Sequence, residues 1–195
     1  MLAIRPRTTG GVEVLSLEEF RTPEPGAGQL LVRVEAAGVN YIDVYHRKGA
    51  YKLELPMALG LEGAGIIEGV GQGVADFHVG QRVAWANAPG SYASHVLVEA
   101  SRALAVPDGV EPQQAGALLL QGLTAHYLVH DTFALRAGQT ALVHAAAGGV
   151  GEVQRVSRML VFSMYRCTPG VPSSGATVKC PPPSASSSLE KMGSE

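Results

Sequence analysis

A run of small residues late in the chain has the composition that phosphate binding requires. Residues 145–151 are Ala-Ala-Ala-Gly-Gly-Val-Gly, and they follow the short apolar segment 140–144. Such a change suits a tight turn from a buried strand into a helix N-terminus, where unpaired N–H groups and the helix dipole favour an anion. Side chains beyond alanine would keep this backbone from a pyrophosphate, so the segment predicts a nucleotide-binding strand–turn–helix. The alternative is a tight helix–strand contact without a ligand.

Short alternating segments fill the first hundred residues. Residues 30–37 alternate apolar with charged side chains, which is typical of a half-buried strand. Short strands at this spacing, separated by glycine-rich turns, predict a partly open antiparallel β-barrel. Further segments bounded by Gly, Pro or Asp predict strands at 12–17, 64–70, 82–86, 92–98 and 103–106.

Helical patterns interrupt and then follow these strands. Asn40 could cap a short helix that continues to Lys48. From 111 to 129, apolar residues recur at helical spacing, with a break predicted at 122–124. The change from strand to helix periodicity predicts a domain boundary between residues 110 and 125.

The end of the chain has the composition of a disordered tail. Residues 167–195 are dominated by Ser, Pro and Gly, which cannot bury enough apolar surface to offset the ordering entropy. A dinucleotide-binding sheet needs several parallel strands and usually an acidic residue about 20 positions after the glycines. Residues 169–179 contain no Asp or Glu and no evident second strand. We therefore predict a catalytic domain over 1–120, an incomplete first β–α unit of a nucleotide-binding domain over 121–166, and a disordered tail over 167–195.

The overall composition narrows the class of protein. The net charge is −2 and there is no basic run, so nothing indicates binding to nucleic acid or an anionic membrane. No segment has the length of a signal peptide or a membrane span, which makes the cytoplasm the default location. Cys167 and Cys180 are interpreted as exposed thiols. The six histidines are interpreted as structural and no metal site is predicted; they are His46, His78, His95, His126, His130 and His144.

Several motifs in order give the chain a specific resemblance. They are Gly38-Val-Asn-Tyr-Ile-Asp-Val-Tyr-His-Arg-Lys-Gly-Ala-Tyr51, Leu59-Gly-Leu-Glu-Gly-Ala-Gly65, Val79-Gly-Gln-Arg-Val83, Gln121-Gly-Leu-Thr-Ala125 and His144-Ala-Ala-Ala-Gly-Gly-Val-Gly151. Residues 1–151 resemble the zeta-crystallin-like quinone oxidoreductase branch of the medium-chain dehydrogenase/reductase superfamily. The resemblance implies an α/β, β-rich fold: a GroES-like partly open β-barrel, followed by the start of a Rossmann NAD(P)-binding domain. It stops at Gly151, which implies a truncated nucleotide-binding domain before the predicted tail.

The resemblance also implies a reaction. Proteins of this branch transfer a hydride from NADPH to a quinone or a related electron-poor alkene, and they do so without a metal. Zinc-dependent relatives have Cys and His where this chain has Asn40 and Leu61, and their structural zinc needs four clustered cysteines. A quinone or similar small acceptor is thus the implied partner, and the resemblance leaves a homodimer open. The alternative is a catalytically inactive fragment that retains part of the cofactor site and at most binds a partner.

The resemblance finally assigns roles to individual residues. Asn40, Tyr45 and Tyr51 would be catalytic, with Asn40 near the nicotinamide ribose and the tyrosines lining the quinone pocket. Each has an alternative role: Asn40 could be only a helix cap, and the tyrosines only half-buried aromatics. Asp43 and Glu62 stay undecided between function and simple turn or salt-bridge roles. The implied cofactor residues are Asn40, Thr124, Gly148, Gly149, Val150 and Gly151.

Overall fold

A computed structural model describes residues 1–132, 140–145, 147–151, 153 and 175–179 of the protein. The chain divides into two compact units, Met1–Leu120 and Gln121–Glu195. That the second unit is the opening of an NAD(P)-binding domain stays a prediction.

The first unit is built mainly from short strands, and the last α-helix begins at its end and continues in the second unit. The strands and α-helices are β1 (Leu2–Ile4), β2 (Leu17–Glu19), β3 (Gln29–Ala37), α1 (Tyr41–Lys48), β4 (Gly63–Val70), β5 (Arg82–Trp85), β6 (His95–Glu99), β7 (Ala103–Ala105), α2 (Pro112–Gly116) and α3 (Leu119–Tyr127). Short 3-10 turns lie at Val12–Val14 and Ala100–Arg102, and a π-helical turn at Leu128–Thr132 follows α3.

Five strands form the antiparallel sheet that carries the core of the first unit, in the order β6-β3-β4-β5-β7. Alternation along β3 buries Leu30 and Val32, which pack with Ile67, Val83 and Trp85, all 0% exposed. Register shifts between β3 and β4 break the ladder at two places, as β-bulges do where a sheet curls. The predicted partly open antiparallel β-barrel is therefore confirmed.

The end of β3 positions the helix that follows it. β3 ends at Ala37, and Gly38 donates its N–H to the Glu62 carbonyl oxygen over 3.1 Å. A Cβ at Gly38 would overlap the Glu62 side chain, so only glycine allows this approach. The chain then enters α1 at Tyr41, as predicted, and leaves it through Gly49 in the left-handed conformation.

Two predictions for the first 132 residues are wrong in detail. The alternating segment 12–17 is not one strand: Val12–Val14 is a 3-10 turn, and only Leu17–Glu19 pairs, with β1. The alternating pattern did not produce a six-residue strand because β1 is only three residues long. It can pair with only three residues of β2. The predicted helix break at 122–124 instead lies between α2 and α3, so Gly122 is inside a helix.

The predicted strand–turn–helix is present in the described part of the second unit. Strand β8 (Thr140–His144) is followed by a turn at Ala145, whose φ is 48°, and residues 149–151 are helical. Residues 154–166, the predicted continuation of this helix, lie outside the described residues.

Strand β8 pairs with β9 (Gly175–Lys179) in an antiparallel ladder. At these five residues the predictions of a disordered tail and of no second strand are wrong. Thr177 and Val178 are β-branched, which favours a strand, and the segment has no proline. It can therefore form hydrogen bonds with the backbone N–H and C=O groups along the edge of β8, which would be unpaired if β8 were alone. The rest of the predicted tail lies outside the described residues. None of the described helices has the length and apolar character needed to cross a membrane.

Candidate functional site

Helix α1 presents its tyrosines outward and its polar residues inward. Asp43, His46 and Arg47 are buried, whereas Tyr41 and Tyr45 are 72% and 43% exposed. An amphipathic helix usually buries its aromatic face, so this arrangement needs a reason outside the core. The aromatic face is available for a ligand.

Three tyrosines form one exposed cluster on this side of the first unit. The Tyr41 and Tyr45 rings meet edge to face with centroids 5.1 Å apart, and Tyr45 meets Tyr51 at 6.0 Å in the same manner. Tyr51 is 54% exposed, and the buried His46 ring lies 5.9 Å from it. The structure thus brings together both tyrosines that the sequence assigned to a quinone pocket. This arrangement exposes flat apolar rings that each carry a hydroxyl at the tip.

Asn40 immediately precedes Tyr41 of this cluster, at the N-cap position of α1. Its backbone N–H donates to Asp43 Oδ2 over 2.9 Å, and its side-chain Nδ2 donates to Glu62 Oε1 over 2.7 Å. Its amide is therefore oriented by a contact with a residue 22 positions away, in addition to its place at the helix cap.

Glu62 is the fully buried centre of this polar group. Its carboxylate is 0% exposed and accepts hydrogen bonds from Asn40 Nδ2 and, over 2.8 Å, from the backbone N–H of Leu120. A buried carboxylate is tolerated only when it is paired or hydrogen-bonded. The residue thus joins the start of α1 to the start of α3.

Asp43 is held from the other side by a residue that sequence reasoning missed. The Tyr92 hydroxyl donates to Asp43 Oδ2 over 2.8 Å, while Asp43 Oδ1 is buried and accepts no hydrogen bond. Burial first, and then the hydrogen bond to the Asp43 carboxylate, raise the pKa of the Tyr92 hydroxyl above its usual range. The two residues are 49 positions apart, so no local spacing could have revealed the pair.

The implied cofactor residues of the second unit lie on α3 and on the loop after β8. Thr124 is on α3 and half-buried. Gly148 and Gly149 are exposed, and the Gly148 N–H donates to the Ala145 carbonyl oxygen over 2.7 Å. A Cβ at Gly149 would overlap the side-chain amide of Gln121, so the loop and α3 approach closely at this glycine. The small side chains therefore serve a packing contact as well as leaving the loop backbone accessible.

No group of three His, Cys, Asp or Glu side chains that could hold a metal ion occurs among the residues the structure describes. At the position where zinc-dependent relatives have a cysteine, Asn40 directs N–H donors at Glu62. Independence from zinc stays a prediction.

The sequence match agrees with this architecture. The family model of the alcohol dehydrogenase GroES-like domain matches residues 26–132, which include the five-stranded sheet, α1 and α3. The chain belongs to this family.

Relatives of this GroES-like family member include named reductases. A quinone oxidoreductase from Pseudomonas aeruginosa is 49% identical over 145 residues, which cover 73% of this chain and 44% of the relative. A 2-haloacrylate reductase from a Burkholderia species is 40% identical over 74% of this chain and 45% of the relative. The structure of Escherichia coli quinone oxidoreductase complexed with NADPH has a TM-score of 0.78 at 36% identity, and the match covers 82% of this chain and 50% of that chain.

These matches confirm the predicted resemblance to the quinone oxidoreductase branch. The chain spans about half the length of the relatives it matches. A functional site of a relative can therefore be compared with this chain only within the segment where the two sequences align.

Proposed function

We propose that residues 1–151 carry the acceptor-binding wall and part of the cofactor site of a zinc-independent NADPH:quinone oxidoreductase. The observation that carries this proposal is the exposed cluster of Tyr41 and Tyr45 on α1 and Tyr51 just after it. Solvent-facing aromatic rings suit a flat, electron-poor acceptor.

Tyr45 and Tyr51 are the proposed acceptor-binding residues. Their rings provide apolar surface for a quinone ring, and their hydroxyls can donate hydrogen bonds to its carbonyl oxygens. Reduction of a quinone depends on alignment of donor and acceptor more than on a strong acid or base. Ring contacts of this kind supply alignment.

NADPH is the proposed cofactor, and it supplies the hydride when bound. The similar Escherichia coli enzyme was solved with NADPH. The exposed backbone at Gly148 and Gly149 fits a pyrophosphate, and Val150 and Gly151 continue into the first helical turn. Asn40 and Thr124 would hold the nicotinamide side. In this role Glu62 keeps the Asn40 amide oriented through the 2.7 Å hydrogen bond.

A second candidate is an inactive chain that retains only part of the cofactor site. The antiparallel pairing of β8 with β9 favours it, because a dinucleotide-binding sheet pairs its first strand with parallel neighbours. Residues 169–179 also lack the acidic side chain that usually holds a ribose. In this case residues 1–195 alone bind NADPH weakly and reduce quinones slowly or not at all.

A chimera tests the proposed acceptor site in a chain with the nucleotide-binding continuation of a relative. Residues 1–151 are joined to the part of the Pseudomonas aeruginosa relative that follows its matched segment. Tyr45→Ala and Tyr51→Ala should each raise the KM for tetramethyl-p-benzoquinone about tenfold and leave the KM for NADPH within about twofold. Tyr127→Ala, which removes an exposed tyrosine from α3, is the matched control. Unchanged quinone KM values in both variants would exclude the tyrosine cluster as the acceptor site.

A further inference from the structure

Two histidines in the second unit lie side by side on the surface. The ring centroids of His126 and His130 are 4.3 Å apart, with an angle of 37° between the ring planes. Both side chains are exposed. The pair lies at the end of α3 and in the π-helical turn that follows, so one continuous helical segment fixes its geometry.

The helical geometry explains why the rings approach so closely. Residues four apart already share one face of an α-helix. The turn Leu128–Thr132 is π-helical, and its wider turn brings side chains four apart more nearly above one another. Such π-helical turns are frequent at functional sites.

We propose that His126 and His130 form a two-imidazole chelate site for a divalent late transition metal ion such as Ni²⁺ or Cu²⁺. A neutral imidazole nitrogen is a good ligand for both ions. Metal–nitrogen bonds are about 2.0–2.1 Å long for the comparable zinc ion. The two tilted rings lie with centroids 4.3 Å apart on exposed side chains, so rotation of the rings can bring one nitrogen of each to a shared ion. This proposal replaces the interpretation of these two histidines as structural.

The surroundings favour an open and exchangeable site. In the part of the chain that the structure describes, no third His, Cys, Asp or Glu completes a metal-binding group, so water would fill the other coordination positions. Asp131 is exposed beside His130 and adds negative charge nearby. Neither histidine occupies the positions of Asn40 and Leu61, where zinc-dependent relatives have their ligands.

Other histidines are less suited to this role. His95 Nε2 already lies 3.1 Å from Glu68 Oε2, and its Nδ1 lies 3.0 Å from the Ser94 hydroxyl. His46 is buried against Tyr51. His78 is exposed and provides a matched single-histidine control.

Nickel binding to the full chain tests the proposal. Cys167→Ser and Cys180→Ser first remove the thiols as competing ligands, and dialysis against a chelator removes bound metal. Calorimetric titration with Ni²⁺ should then show one site per chain. His126→Gln and His130→Gln should each weaken binding at least about tenfold because a single imidazole remains. His78→Gln should leave the affinity unchanged.

Glutamine is a good helix former, so the variants should keep the helix, and far-ultraviolet circular dichroism checks this. A loss of less than tenfold in either variant with unchanged dichroism would overturn the proposal. An equal loss in His78→Gln would overturn it too, because binding would then depend on scattered surface histidines.

Discussion

The side-chain amide of Asn40 donates a 2.7 Å hydrogen bond to Glu62, a carboxylate with no exposed surface. The same carboxylate accepts the N–H of Leu120 at the second residue of α3. One buried residue thus fixes both the side chain proposed to face the nicotinamide and the start of the helix that carries Thr124. Replacing Glu62 should therefore change the free energy of unfolding by a measurable amount.

Replacing Glu62 should destabilise the protein in a graded way. Glu62→Ala removes both acceptors and leaves a cavity, so the free energy of unfolding should fall by about 3 kcal/mol. Glu62→Gln keeps the volume but places an amide NH₂ against a donor, and should cost about 1–2 kcal/mol. Urea unfolding measures both values. Glu24→Ala is the control, because its side chain is 88% exposed, and it should change stability by less than about 0.5 kcal/mol. A Glu62→Ala protein as stable as this control would contradict the role assigned to the carboxylate.

Tyr92 should stabilise the protein through Asp43. Tyr92→Phe removes the 2.8 Å hydrogen bond and leaves the buried carboxylate with fewer donors, so the free energy of unfolding at pH 7 should fall by about 1–3 kcal/mol. Tyr41→Phe, at a 72% exposed position, should have almost no effect. Equal stability of the two variants would mean that the Tyr92 hydroxyl contributes nothing.

The buried Tyr92 hydroxyl should also make the stability of the folded protein depend on pH in the alkaline range. The pKa of Tyr92 is raised in the folded protein above its ordinary value near 10.0, mainly by burial. A raised pKa contributes stability that is complete below the unfolded pKa and decreases as the pH rises through and above it. Stability should thus decline above about pH 10 more steeply in the parent than in Tyr92→Phe. Parallel declines in thermal unfolding between pH 9 and 11 would contradict this.

Zinc should be absent from the chelator-dialysed protein. Asn40 and Leu61 stand where zinc-dependent relatives have Cys and His, and Asn40 directs an amide N–H at Glu62. Elemental analysis should find well below one zinc per chain. The control replaces Cys167, Cys180 and His126, which removes the thiols and one imidazole of the proposed surface chelate. About one zinc per chain retained in that variant would mean that a tighter site exists elsewhere.

Sequence patterns predicted the fold where a local period was strong. The alternation along β3 and the cap-like Asn40 before α1 located both elements, and the glycine-rich segment located the turn after β8. Segment 12–17 failed because its alternation had only a three-residue partner strand, so tertiary pairing outweighed local preference. β9 was missed because its two β-branched residues, Thr177 and Val178, lie within a segment dominated by Ser and Pro.

The candidate site was predictable only through motif resemblance. Local spacing could predict that Tyr41 and Tyr45 lie close together, since they are four positions apart on a helix. It could not reveal that Glu62 reaches Asn40 across 22 positions, or that Tyr92 reaches Asp43 across 49. Such contacts depend on sheet register, and register is a property of the assembled sheet.

Our central proposal is that residues 1–151 supply one wall of an NADPH and quinone site and that residues 152–195 do not complete its adenosine side. A helix N-terminus contributes only about 0.3–2 kcal/mol to phosphate binding, whereas micromolar affinity needs about 8 kcal/mol. Residues 1–195 alone should therefore oxidise NADPH with a quinone slowly or not at all. The chimera with the Pseudomonas aeruginosa continuation should be active.

The decisive measurement is the rate of NADPH oxidation with tetramethyl-p-benzoquinone by three proteins. They are residues 1–195, the chimera, and the chimera carrying Gly148→Glu and Gly149→Glu, which places anionic side chains in the loop. We expect turnover by the chimera at least about a hundredfold above both other proteins. A folded chimera that binds NADPH but does not reduce the quinone would contradict the proposed function. Turnover by residues 1–195 equal to that of the chimera would contradict the claim that a wall of the site is missing.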